Sequence, residues 1–133
     1  MTNPHLAETP PAARMLGREI ERIDADGTAH LRFLARPEFA NRHGSVQGGL
    51  VSAMLDSATS AVLLAQLPPE LTSMTVKLEV EFLRPAPLTA LSAKAWLMSR
   101  DERSATTRGE LRDPDGNVVA TATAQLRILP RRR

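Results

Sequence analysis

Between Gly48 and Pro68 this chain carries one charged side chain, Asp56. Set on a helix at about 100° per residue, Leu50, Met54, Ala58, Ala61 and Ala65 gather on one side, widened by Val51, Leu55 and Val62. The opposite side holds Gly49, Ser52, Ser60 and Leu63, with no Lys, Arg or Glu to meet water. A helix without a charged face is wrapped by protein on all sides. A carboxylate in such surroundings is costly unless it is paired or used. The fold must therefore enclose this helix, and Asp56 needs a partner or a task.

The rest of the chain supplies a wrapper. Residues 17–23 and 28–35 read as two short strands joined at Asp26-Gly27, a hairpin turn signal. A loop follows over 37–46, and the helix spans about 47–67 before Pro68-Pro69 stops it. The period then changes to two. Met74, Val76, Leu78, Val80 and Phe82 form the buried side of a strand, alternating with Thr75, Lys77, Glu79 and Glu81. Leu91, Ala93, Ala95 and Leu97 mark the next strand, residues 104–112 a more polar one, and Val118 to Ile128 the last. Asp113-Pro114-Asp115-Gly116 is the turn before it. The order ββαββββ predicts an α+β fold, an antiparallel sheet curled round one long central helix. Residues 1–13, with Pro4, Pro10 and Pro11, read as a flexible arm. A single domain over 14–130 and a basic tail over 131–133 complete the chain.

Composition excludes several roles. With no cysteine there are no disulfides or thiolate zinc sites, and three scattered histidines lack ligand spacing, so no metal is expected. Net charge is only +2, basic residues cluster only at the C-terminal tail, and the aromatic side chains are Phe33, Phe39, Phe82 and Trp96, too few for a base-stacking platform. Nucleic acid is not an expected partner. The uncharged run 44–55 is too short and polar to span a membrane, and the N-terminus lacks the pattern of a secretory signal. These features predict a cytoplasmic protein with no membrane partner.

Asn41-x-x-Gly44-x-x-Gln47-Gly48-Gly49, followed by Asp56, resembles the hotdog-fold thioesterases, and the PaaI-like acyl-CoA thioesterase branch most. That branch has Asn-x-x-Gly-x-x-His-Gly-Gly with an acidic residue nine positions after the His. The resemblance runs through the 74–82 strand, Arg84-Pro85-Ala86 and Gly116-x-x-x-Ala120, covering about residues 15–129. It implies a hotdog fold and hydrolysis of an acyl-CoA thioester, with coenzyme A entering as part of the substrate and no separate cofactor. Asp56 would be nucleophile or general base. The Gly48 amide, at a helix N-terminus, would polarise the thioester carbonyl, with Gly49 keeping the approach open. Asn41 would orient water or the loop, and Thr75 would help to hold the attacking water. The expected His is Gln47 here; it can donate a hydrogen bond but cannot titrate near neutral pH. His43-Gly44 is no substitute, because aligning it to His-Gly-Gly would misplace Asn41 and Asp56. Arg84, among other arginines, is a candidate for the CoA phosphates.

Gly49 and Asp56 lie seven residues apart, about 10 Å along one helix, whereas a reacting carbon must sit about 3 Å from both nucleophile and oxyanion donor. The Gly48 amide of one subunit should thus face Asp56 of another in a homodimer, which the family resemblance extends to frequent homotetramers. Two other readings compete: a non-catalytic acyl-CoA-binding hotdog module, which the missing His favours, and a hotdog hydratase or dehydratase, which would rely on that His.

Overall fold

The computed structural model describes residues 4–132. In chain order it comprises a short helix α1 (Pro11–Met15), strands β1 (Glu19–Ile23) and β2 (Ala29–Leu34), a long helix α2 (Gly48–Leu64), and strands β3 (Leu71–Phe82), β4 (Ala90–Arg100), β5 (Ser104–Arg112) and β6 (Val118–Pro130). All six strands join one antiparallel sheet in the order β1-β2-β4-β5-β6-β3. The expected ββαββββ order and α+β hotdog fold are therefore present.

Helix α2 packs against β2, β3, β4, β5 and β6. Val51, Met54, Leu55, Ala58, Thr59, Ala61, Val62 and Leu63 are buried. Gly49 is exposed, while Ser52, Ala53, Asp56, Ser57 and Ser60 are half-buried. The sheet covers all of the helix but this strip. Small residues on the sheet let the helix come close. Gly109 of β5 lies between Ala95 and Ala122, and a Cβ there would stand 3.1 Å from Thr59 Cγ2. The buried threonines are paired: Thr59 Oγ1 donates to Leu55 O (2.8 Å), and Thr107 Oγ1 donates to Thr59 O (3.1 Å). The helix proper is shorter than the 47–67 expected, because Gln66 and Leu67 N–H close tighter bonds to Leu63 and Leu64 O.

Strand β3 departs from the alternation its sequence suggests. Its register against β6 shifts between Thr75 and Lys77, which makes Val76 an extra residue, a β-bulge. Leu78 and Val80 pack on the core as expected. Before the bulge the phase reverses: Met74 is exposed, and Thr75, expected to point outward, turns to the helix.

The segment read as an arm also has structure. A 3-10 turn spans Pro4–Leu6, and α1 places Ala13 and Leu16 in buried positions. Helix α1 ends in a Schellman motif: Gly17 N–H donates to Arg14 O, and Arg18 N–H donates to Ala13 O. Gly17 has φ +65°, and a side chain there would also strike Leu34 Cβ at 2.9 Å. Leu34 N–H donates to Leu16 O, so this junction is tied to β2. Met1–Asn3 of the arm and Arg133 of the tail lie outside the described residues. No helix among the described residues is long and apolar enough to cross a membrane.

Candidate active site

Asp56 sits mid-helix on the strip of α2 that the sheet leaves uncovered. Its backbone is regular and its side chain is half-buried. Thr75 Oγ1, re-aimed by the bulge, donates to Asp56 Oδ1 at 3.0 Å. Ser60 Oγ lies 3.3 Å from Thr75 Oγ1, giving a short hydroxyl relay from one turn down the helix. A carboxylate accepting one hydroxyl bond keeps its second oxygen available.

That carboxylate borders a cavity of about 270 Å³ between α1 and α2. Ala13, Met15 and Leu16 give it an apolar wall from α1, and Ala53 adds to this from α2. Ser57, Ser60 and Arg18 complete the polar side. Arg18 Nη1 donates to Ser57 Oγ at 3.1 Å. Burial holds the Arg18 guanidinium below its ordinary pKa. Sequence reasoning missed Arg18 and the α1 wall. No local pattern marks them, since only the docking of α1 on the helix and on β2 brings them to Asp56.

The other predicted residues cluster at the N-terminus of α2. Gln47 precedes the helix with φ −55° and ψ 133°; its side chain is exposed and makes no capping bond. Leu50 and Val51 N–H both donate to Gln47 O, which leaves the Gly48 and Gly49 amides without an intrahelical acceptor. Phe82 stands beside Gly48, its ring 3.5 Å from where a Cβ would be. Asn41 is committed to its own loop: Oδ1 accepts from His43 N–H (2.9 Å) and Ser45 N–H (3.1 Å), and Nδ2 donates to Ser45 Oγ (3.0 Å). Arg84 is exposed just after β3, with its backbone N–H donating to Val119 O. Asp56, Thr75 and Ser60 are thus brought together. Asn41, Gln47, Gly48 and Gly49 form a separate group eight residues up the helix, about 12 Å away, and none of them lines the Asp56 cavity.

The sequence pattern of the Thioesterase superfamily matches residues 43–120, more than half of the chain. Comparison with curated proteins returns no match. Among solved structures, a candidate thioesterase and phenylacetic acid degradation-related protein from Ralstonia eutropha JMP134 is 37% identical, covering 91% of this chain and 92% of that one, with a TM-score of 0.87. PaaI of the phenylacetic acid degradation operon of E. coli shares the fold, at 22% identity over 96% of this chain and 91% of its own (TM-score 0.85). So does the BH2602 protein of Bacillus halodurans, solved with CoA, at 23% identity over 92% and 78% (TM-score 0.80). A half-buried carboxylate held by a hydroxyl, a helix N-terminus with open amides and these likenesses converge: the chain belongs to the Thioesterase superfamily, as a PaaI-like hotdog thioesterase.

Proposed function

We propose that the chain hydrolyses acyl-CoA thioesters, with Asp56 as nucleophile or general base and the Gly48 amide as donor to the carbonyl oxygen. The Thr75–Asp56 bond carries this reading, because it fixes one carboxylate oxygen and leaves the other free. As nucleophile, that oxygen bonds to the thioester carbon, the CoA thiolate leaves, and water cleaves the resulting anhydride. As base, it takes a proton from the water that attacks the same carbon. Either route builds negative charge on the carbonyl oxygen, where an open amide at a helix N-terminus is most stabilising. Gln47 can add a hydrogen bond to that oxygen but no proton transfer near neutral pH. The Bacillus halodurans structure with CoA supports a CoA ligand. Exposed Arg84 is available to its phosphates, and CoA is part of the substrate rather than a bound cofactor. A cytoplasmic compartment suits such a substrate.

The separation of Asp56 from Gly48 along one helix favours a site shared between two copies. The free edge of β3 supports this, since Met74 (59%), Val76 (59%) and Phe82 (56%) are exposed there. An unpaired apolar edge is a template for a second strand. A homodimer is the minimal assembly, and pairing of dimers into a homotetramer is compatible with it.

The test is thiol release from aryl, short-, medium- and long-chain acyl-CoA thioesters. Asp56→Asn should lower kcat at least about a hundredfold; unchanged turnover refutes the assignment. Acyl-CoA binding without turnover by the unaltered chain would favour the binding-module reading. Gly48→Pro deletes the amide at a helix position that tolerates proline, after a residue already extended. It should lower kcat about a hundredfold or more. Mixing the two inactive variants after dissociation should restore about a quarter of the activity if each site draws on both subunits. No recovery in verified mixed dimers would place both groups in one chain.

A further inference from the structure

The Asp56 cavity holds a guanidinium that the thioesterase chemistry does not use. Arg18 is half-buried, and its side chain donates to Ser57 Oγ. Among the described residues no carboxylate lies within 4.0 Å of it, although five ion pairs of that kind form elsewhere among them. The Schellman turn at Gly17 and the tie from Leu16 to β2 hold its backbone in place. A planar five-donor group, positioned by one bond to Ser57 and facing the cavity's apolar wall, suits a planar two-oxygen anion. It bonds the residue next to Asp56, so the anion must lie close to the reacting carbon. The phosphates of CoA sit at the far end of the pantetheine arm and do not meet that requirement. A carboxylate on the acyl group does. A cavity of about 270 Å³ suits a short chain.

Resting on the thioesterase reading, we propose that Arg18 is a specificity-determining residue that selects acyl groups ending in a carboxylate, the half-thioesters of short dicarboxylic acids.

The experiment compares matched pairs: succinyl-CoA with 4-methylpentanoyl-CoA, and glutaryl-CoA with 5-methylhexanoyl-CoA. Each partner replaces the carboxylate with an uncharged isostere. The unaltered protein should favour the diacid member in kcat/KM by about tenfold or more. Arg18→Gln keeps a donor for Ser57 and should bring the ratio to about one, and Arg18→Lys should restore part of the preference. A ratio that favours the alkyl member, or one that Arg18→Gln leaves in place, overturns the proposal. Calorimetry with carboxyalkyl and alkyl thioethers of CoA reads the same selectivity without turnover. If hydrolysis fails on every thioester but the carboxyalkyl ligand binds more tightly in an Arg18-dependent way, the thioesterase reading falls and the Arg18 assignment stands. If CoA alone loses as much affinity in Arg18→Gln as the carboxyalkyl ligand does, Arg18 serves a phosphate and the proposal is wrong.

Discussion

Two sides of one helix do different work. The sheet-facing side of α2 carries Met54, Leu55, Ala58 and Val62, all fully covered or nearly so. Its polar members, such as Thr59, satisfy themselves on backbone carbonyls. The uncovered side carries Gly49, Ser52, Asp56, Ser57 and Ser60, and there the polar groups reach other elements: Asp56 to Thr75, Ser57 to Arg18. Residues a few positions apart are thus divided by the face they occupy, one face closed on the core and the other bonding Thr75 and Arg18.

The sharpest check of that division pairs Asp56→Asn with Met54→Ala. The first should cost at least about a hundredfold in kcat while urea midpoints barely move, since an isosteric amide still accepts from Thr75. The second should destabilise by about 2–5 kcal/mol while leaving kcat per folded molecule near its original value. A large stability loss in Asp56→Asn would break the comparison. Gly109→Ala should lower stability by about 1–3 kcal/mol, because its methyl would press on Thr59 Cγ2 at 3.1 Å; denaturant melts read this. Thr75→Val removes the hydroxyl bond to Asp56 and should reduce kcat about tenfold with little change in KM. If KM changes alone, Thr75 belongs to binding. The smallest effect lies remote from both sides. Arg103 N–H, then Ser104 N–H, hold the Asp101 carboxyl below the usual range. A depressed folded pKa adds stability above the unfolded value, and this is lost as pH falls through the folded one. Asp101→Asn should therefore flatten the acid limb of the stability profile slightly and leave thiol release at neutral pH unchanged.

Much of this was legible in the sequence because it rests on periodicity. The uncharged helix, the period-two strands and the Asp26-Gly27 turn are local patterns, and each is present, although the helix ends early at Leu64 and Met74, Val76 and Phe82 of β3 are exposed rather than buried. Asp56 stood out by charge alone. Other features are properties of register and docking. Nothing in Met74-Thr75-Val76-Lys77 announces a bulge, because the apolar alternation continues through it, and only pairing with β6 makes Val76 the extra residue. Likewise, α1 is five residues long and has no helical period to detect, yet its burial of Ala13 and Leu16 carries Arg18 to the cavity.

Pairing Val76 regularly against β6 would make β3 a plain alternating strand and would turn Thr75 away from Asp56. With the extra residue in place, Thr75 faces Asp56 while Leu78 and Val80 still pack on the core. The irregularity lets one strand serve two neighbours at once, turning a hydroxyl to the helix without pulling Leu78 and Val80 out of the interior.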